Sequence, residues 1–238
     1  MTIAEQILNY ASKQKQPFRK HNMVEVLEKN NISKTSIHVM LNRLLEQEKL
    51  ERVGYGLYTL PKKGKRDFLY HPSEEEQELA KQIKEKFPFI DFCVWKPSIL
   101  AHYMRHVPLL KMTFIDVERM AMESVFHFLQ NIITDTPFLL NPTVQECERY
   151  ITTDKVMIVR PLVGEAPMTT VDDYSVPTLE KILVDATCDK ELNFAQGAEL
   201  HTIYEYAFDA HNINKSRLLR YAARRNRKET IQKMIENL

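Results

Sequence analysis

The chain has 238 residues, which is long enough for two domains that each bury a hydrophobic core. Its formal net charge is only +1, yet residues 1–65 contain 12 Lys/Arg against 6 Asp/Glu, while residues 66–238 contain 21 against 26. This uneven distribution favours contact between the basic N-terminal part and phosphate groups.

The cysteines and the N-terminus argue against a secreted or membrane protein. Cys93, Cys147 and Cys188 lie far apart and form no CxxC pair, which favours free thiols over a disulfide framework. The first residues show no secretory leader, and no apolar run approaches membrane-spanning length. We therefore expect a soluble cytoplasmic protein with no membrane partner.

Two short helices are predicted at the N-terminus. Apolar residues recur at helical spacing over residues 2–13. Asn22 is suited to cap a second helix, and Asn30 and Asn31 make the turn towards Ser33.

Residues 32–60 predict a third helix followed by a tight hairpin. Ser33 is the expected N-cap, and an apolar stripe follows it at helical spacing, formed by Ile37, Met40, Leu41, Leu44 and Leu45. Residues 50–53 and 57–60 are expected as two short strands around Gly54 and Gly56, where positive φ angles favour glycine.

This order of elements predicts a winged helix–turn–helix DNA-binding domain over residues 1–65. The expected DNA contacts of the recognition helix are Lys34, Thr35, Ser36, His38, Asn42 and Arg43. Those of the wing and the linker are Arg52, Tyr55, Lys62, Lys63 and Lys65. A winged helix that only binds protein is the alternative interpretation.

Residues 66–238 alternate between short strands and helices, which predicts a small, mainly parallel α/β domain with a helical C-terminal half. Strands are expected over 90–95, 112–115, 138–140 and 156–163, and Asp116 is expected to cap the helix over 117–130. Residues 164–175 are expected as a polar loop, and helices are expected over 178–188, 196–210, 216–225 and 229–236.

The last part of the chain carries a second basic segment. Residues 215–228 include seven cations and no acidic residue, and Ser216 is the expected cap of its helix. The arginines of this helix, Arg217, Arg220, Arg224 and Arg225, suggest a second surface for phosphate or for an acidic partner. The alternative is a solvated face whose arginines pair with carboxylates of the same domain.

No catalytic, metal or cofactor site is predicted. His102 and His106 have the spacing of a helical ligand pair, but no glutamate follows His102 as in the HExxH motif. The chain contains no glycine-rich phosphate loop, and we see no carboxylates that are expected to converge.

Three stretches together resemble the antitoxin of the AbiE abortive-infection toxin–antitoxin system. They are the wing sequence over 52–58 (RVGYGLY), residues 177–185 (PTLEKILVD) and residues 216–225 (SRLLRYAARR). The resemblance implies a transcriptional repressor that binds operator repeats upstream of its own operon. It also implies a neighbouring toxin with a nucleotidyltransferase fold, and DNA contacts from both domains. Residues 89–163 match no motif of that family.

The expected function is therefore a repressor and antitoxin without catalytic activity, whose partners are double-stranded operator DNA and the cognate toxin. A nuclease or nucleotidyltransferase that is targeted to nucleic acid by its winged helix is the alternative function.

Overall fold

The computed structural model describes residues 2–14, 17–30, 32–47, 49–54, 56–60, 65–106, 108–109, 111–151 and 155–238. The chain divides into two compact units, Met1–Gly64 and Lys65–Leu238. Each unit has its own hydrophobic core. Within the described residues, no helix combines the length and the apolar character that crossing a membrane requires.

The first unit contains three helices and a three-stranded antiparallel sheet. The elements in chain order are α1 (Ile3–Ser12), β1 (Phe18–Arg19), α2 (Lys20–Glu28), α3 (Lys34–Glu46), β2 (Glu51–Gly54) and β3 (Leu57–Thr59). The strand order in the sheet is β1-β3-β2. This arrangement is a winged helix–turn–helix in which α2 and α3 form the helix–turn–helix, and β2 and β3 form the wing.

The predicted apolar stripe of α3 builds the core of this unit. Ile37, Leu41 and Leu44 are buried, and Met40 and Leu45 pack against them. Gly56 has a φ of +65°, as expected for the hairpin turn.

Two features of the first unit differ from the sequence predictions. Asn22 lies inside α2 and does not cap it, because the helix begins at Lys20 with Arg19 at its N-cap position. The two-residue strand β1 was not predicted, since so short a strand leaves no periodic pattern. It forms because Phe18 pairs with Tyr58 across the sheet and both rings are buried.

The second unit is a mixed α/β structure. Its first half comprises α4 (Glu74–Lys86), β4 (Phe92–Trp95), a 3-10 helix (Pro97–Tyr103), β5 (Lys111–Val117), α5 (Met122–Ile132), β6 (Phe138–Leu140), α6 (Val144–Tyr150) and β7 (Lys155–Pro161). Its second half comprises β8 (Met168–Val171), β9 (Tyr174–Pro177), α7 (Leu179–Cys188), a second 3-10 helix (Lys190–Ala195), α8 (Ala198–Ala210), α9 (Lys215–Arg224) and α10 (Lys228–Glu236).

The four-stranded sheet of this unit has the order β4-β5-β7-β6. Strands β5 and β6 both run parallel to β7, whereas β4 is antiparallel to β5. The predicted fold class, a winged helix followed by a mixed α/β domain with a helical C-terminal half, is confirmed.

Side chains alternate between the two faces of this sheet, and each face carries a separate core. Phe114 and Ile158 belong to the core that includes α7, α8 and α9. Ile115 and Val159 belong to the core that includes α4 and α5. Because successive residues of a strand point to opposite faces, Asp116 and Arg160 lie on the side of α7 and α9.

Two local predictions in the second unit are wrong. Asp116 does not cap a helix, because β5 continues to Val117 and α5 begins only at Met122. The stretch expected as a polar loop contains the hairpin β8–β9. Its turn residues Asp172 and Asp173 both have positive φ angles, 48° and 66°, which Asp tolerates better than most residues and which two-residue hairpin turns require.

The histidine pair is not arranged as a helical ligand pair. The 3-10 helix ends at Tyr103, so His102 and His106 do not share a face of one helix. His106 instead has its Nδ1 2.6 Å from Glu199 Oε1. Among the described residues, no group of three or more potential ligands is placed to hold a metal ion.

Candidate functional site

The recognition helix α3 exposes the face that the sequence predicts. The Ser33 hydroxyl accepts a hydrogen bond from the backbone N–H of Ser36 at 3.2 Å and so caps the helix. The side chains on the face away from the core are exposed at Lys34, Thr35, Asn42 and Arg43 and half-buried at Ser36 and His38. This face therefore offers amide, hydroxyl and cationic groups to a ligand.

A basic groove lies between α2 and α3. Its volume is about 560 Å³, and it is lined by Arg19, Lys20, His21, Val24, Glu25, Glu28, Lys34, His38 and Gly56. Burial lowers the pKa of His38, and the neighbouring charges of Lys20 and Lys34 lower it further. Glu28 opposes this lowering. The cations Arg19, Lys20 and Lys34 outnumber the carboxylates Glu25 and Glu28 in the groove, which favours a bound anion.

Most of the residues predicted for the wing and the linker lie outside the part of the chain that the structure describes. Tyr55, Lys62 and Lys63 lie outside the described residues, and so does the side chain of Arg52. Lys65 is exposed and is the first residue of the second unit.

The second unit contains a buried ionic network that we define as Asp116, Arg160, Lys181, Asp185, Asp189, Tyr221 and Arg225. It begins at the sheet, where Asp116 and Arg160 are directly paired in the parallel ladder of β5 and β7. Arg160 Nε donates to Asp116 Oδ1 at 2.5 Å, and Trp95 Nε1 donates to Asp116 Oδ2 at 2.8 Å.

Helix α7 and Asp189, which directly follows it, extend the network. Lys181 and Asp185 are four residues apart and share one face of α7. Lys181 Nζ donates to Asp116 Oδ2 at 2.5 Å and to Asp185 Oδ2 at 2.7 Å. Arg160 Nη1 donates to Asp189 Oδ2 at 2.6 Å, and its Nη2 donates to Asp185 Oδ2 at 3.3 Å.

Helix α9, together with Arg225 directly after it, closes the network from the other side. Tyr221 Oη donates to Asp185 Oδ1 at 2.9 Å. Arg225, one turn further along, donates to Asp185 Oδ1 at 3.0 Å and also forms an ion pair with Asp189. The network thus joins β5, β7, α7 and α9 through charged hydrogen bonds.

The pKa values in and beside this network shift in opposite directions. Burial raises the pKa of Asp116, but the adjacent Arg160 and Lys181 outweigh it and hold that pKa well below its ordinary value. For Asp185 and the adjacent Glu191, burial has the larger effect and raises the pKa of both carboxyl groups.

A cavity of about 220 Å³ adjoins the network at the carboxyl ends of β5 and β7. Ligands of α/β proteins commonly bind at this edge of the sheet. However, all four carboxylate oxygens of Asp116 and Asp185 already accept hydrogen bonds from groups of the same chain. A metal ion would therefore compete with Arg160 and Lys181 at Asp116, and with Lys181, Tyr221 and Arg225 at Asp185.

The arginines of α9 are close to carboxylates of their own unit. Arg217 lies 4.0 Å from Glu180, and Arg224 forms an exposed ion pair with Glu165. Arg220 is exposed and, within the described part of the chain, takes no part in an ion pair. Arg225 departs from the expectation of a surface residue, because its side chain is only 17% exposed and is paired with Asp185 and Asp189 of the buried ionic network. The cap of α9 is Asn214, one position before Lys215, and not Ser216.

Two family models match the chain. Residues 36–238 match a family of unknown function, DUF6577. The chain belongs to this family. Residues 3–60 of the DUF6577 chain match the TBPIP/Hop2 winged helix domain, which confirms the winged helix and suggests DNA binding. No curated protein matches the chain.

The buried ionic network of the DUF6577 chain was not predicted from the sequence, and no converging carboxylates were expected. One signal could have pointed to it: Lys181, Asp185 and Asp189 recur every four residues on or just after one helix, and so do Tyr221 and Arg225. Their convergence with Asp116 and Arg160 depends on the register of β5 against β7. This register pairs two residues that are 44 positions apart in the chain, and the sequence pattern alone does not specify it.

Proposed function

We propose that this protein is a DNA-binding transcriptional repressor that acts in the cytoplasm as the antitoxin of an AbiE-type abortive-infection operon. It represses its own operon by binding operator repeats, and its functional partner is a toxin with a nucleotidyltransferase fold. The observation that carries the DNA-binding part of this proposal is the capped helix α3, which presents Thr35, Asn42 and Arg43 to solvent on a winged helix–turn–helix.

The chemistry of this face supports duplex DNA as the ligand. The side-chain amide of Asn42 can donate to and accept from adenine in the major groove. The basic groove beside α3 provides Lys20 and Lys34 for phosphate contacts, which position a protein on the duplex.

The antitoxin role is supported by the two C-terminal stretches that resemble AbiE antitoxins. Residues 177–185 contain most of α7, and residues 216–225 contain most of α9. The hydrogen bond between Tyr221 and Asp185 joins these two stretches directly. The two stretches that carry the resemblance therefore lie on helices that contact each other in this chain.

We further propose that the protein is not an enzyme. This proposal rests on the carboxylates of the buried ionic network, which are neutralised by Arg160, Lys181 and Arg225. The observation that favours the alternative, a nucleic-acid-processing enzyme, is the cavity at the carboxyl edge of the parallel strands.

Operator binding can be tested with the full-length protein and the DNA upstream of its own gene. Fluorescence anisotropy at two salt concentrations should show tighter binding to this duplex than to a scrambled duplex of the same composition. A reporter under the same upstream DNA should be repressed when the protein is expressed. Equal affinity for both duplexes together with an unrepressed reporter would contradict the repressor proposal.

The antitoxin part is tested separately by co-expression. The reading frame next to this gene should arrest growth when it is expressed alone, and co-expression of this protein should restore growth. Restoration by a variant that no longer binds DNA would show that neutralisation does not depend on repression.

A further inference from the structure

One side chain on the exposed face of α3 is neither polar nor part of the core. Val39 is 49% exposed. Among the described residues, it is absent from the apolar side chains that pack on the core of the first unit. Valine is also a weaker helix former than the straight-chain residues. Neither packing nor helix formation therefore accounts for valine at this position.

The position of Val39 places it between groups that are suited to contact base edges. It follows Thr35 by four residues and precedes Asn42 by three, so the three side chains share one face of α3. The helix rise separates Val39 from Asn42 by about 4.5 Å along the axis. This distance is close to the base-step spacing of about 3.4 Å along one DNA strand.

The chemistry of the major groove gives such a side chain a specific counterpart. Among the four bases, only thymine presents a methyl group there, at C5, and apolar side chains contact it. We propose that Val39 reads the C5-methyl group of a thymine, and that this thymine lies about one base step from the adenine that Asn42 reads. The inference rests on the proposed DNA-binding function and adds a specificity-determining residue to it.

An isolated exposed apolar residue needs no functional explanation in general. The first unit offers a matched control for this possibility in Val26, which lies on α2 and is 44% exposed. It is likewise absent from the core packing of the described residues. Val26→Ala removes the same atoms as Val39→Ala from a helix that is not the recognition helix.

The experiment uses a duplex that the full-length protein enriches from a random-sequence library. In this duplex each thymine is replaced singly by deoxyuridine, which removes only the methyl group. One replacement should weaken binding about fourfold, the factor expected when one methyl group loses its burial. Val39→Ala should weaken binding to the thymine duplex by a similar factor. In this variant, replacing that thymine by deoxyuridine should then have no further effect on affinity. Such non-additivity identifies a direct contact.

Two further variants complete the test. Val39→Thr retains one of the two methyl groups and should retain part of the thymine preference. For Val26→Ala, the ratio of the affinities for the thymine and deoxyuridine duplexes should equal that of the unaltered protein. Circular dichroism of each variant establishes that the helices are intact.

The possible results separate this inference from the proposed function. If the library yields no enriched sequence and the protein binds no duplex, the DNA-binding proposal itself fails. If a sequence is enriched but no single deoxyuridine affects binding, or if Val39→Ala remains as sensitive to deoxyuridine as Val26→Ala, the role of Val39 is overturned while DNA binding stands.

Discussion

At the scale of single residues, Asn42 is the side chain on α3 with the clearest means of base recognition. It is exposed on the side of α3 that faces away from the core, and its amide matches the donor and acceptor of adenine. Asn42→Ala should cost about 1–3 kcal/mol of binding free energy at the operator and have little effect on scrambled DNA. Binding titrations on both duplexes measure the difference.

Arg52→Ala is the comparison for Asn42→Ala, because a wing residue that contacts phosphate should affect both duplexes to a similar degree. If Asn42→Ala also weakens both duplexes equally, base recognition lies elsewhere in the protein.

His38 predicts a pH dependence of DNA binding. In the free protein, burial together with Lys20 and Lys34 lowers the pKa of this side chain, although Glu28 partly opposes them. A nearby phosphate would favour the protonated form, so the complex should take up a proton. Affinity should therefore rise as the pH falls from about 8 to about 6, the range in which histidine ordinarily titrates.

His38→Gln should remove this part of the pH dependence while retaining a polar side chain. Anisotropy titrations across the pH range, at constant ionic strength, test it. An identical pH profile for the variant and the unaltered protein would show that His38 does not face phosphate.

At the scale of secondary-structure elements, the buried ionic network connects the sheet to α7 and α9. Asp116→Asn retains the shape of the side chain but removes the negative charge that Arg160 and Lys181 share. Loss of one partner from a buried ion pair typically costs about 3–5 kcal/mol, because the remaining charge is left uncompensated. Urea unfolding at neutral pH should show a loss of stability of this size.

The exposed pair formed by Glu165 and Arg224 is the control for Asp116→Asn. Glu165→Gln should leave the midpoint of unfolding unchanged, since exposed ion pairs contribute little.

The pKa of Asp116 is below its ordinary value in the folded protein, so its ionised form stabilises the fold at neutral pH. That contribution should decline as the pH falls below about 4, the unfolded pKa of Asp. If the difference in stability between the unaltered protein and the Asp116→Asn variant grows as the pH falls below about 4, this account is contradicted.

Helix α9 provides a test of the second basic surface. Arg220 is exposed and, among the described residues, is not in an ion pair, whereas Arg224 pairs with Glu165. If α9 contacts DNA, Arg220→Ala should lower the slope of log K against log salt by about 0.9, the value for one phosphate contact. Arg224→Ala should change the slope less, because its charge is already shared with Glu165.

Replacing Arg217, Arg220 and Arg224 together should weaken binding to every duplex alike, since phosphate contacts carry no sequence information. Unchanged affinity and salt slope in an intact triple variant would assign α9 to a protein partner, or to no binding role.

At the scale of the whole molecule, we propose that the first unit recognises DNA and that the second unit has no catalytic activity. Full-length protein incubated with labelled DNA, RNA, tRNA or nucleoside triphosphates, with Mg²⁺ or Mn²⁺, should produce no cleavage or transfer. The reason is that the carboxylates at the carboxyl edge of the sheet are occupied by Arg160 and Lys181. Metal-dependent turnover that Asp185→Asn abolishes, in a variant shown to be folded, would support the alternative enzyme.

The local features of α3 and of the wing turn were predictable from the sequence. The cap at Ser33 and the apolar stripe of α3 depend on residues within one or two turns of each other. The turn at Gly56 depends on the backbone freedom of a single residue. The exposed face of α3 followed directly from these features, because fixing the core side of a helix also fixes its opposite side.

Features that depend on long-range pairing were decided only by the tertiary structure. Strand β1 exists because Phe18 pairs with Tyr58, and no pattern around Phe18 alone indicates this. Asp116 has the local sequence of a helix cap, yet the register of β5 against β7 places it beside Arg160, where α7 adds Lys181. Local rules specify the conformation of a segment, but the meeting of buried charges from distant segments depends on strand register and helix packing, which act across the whole unit.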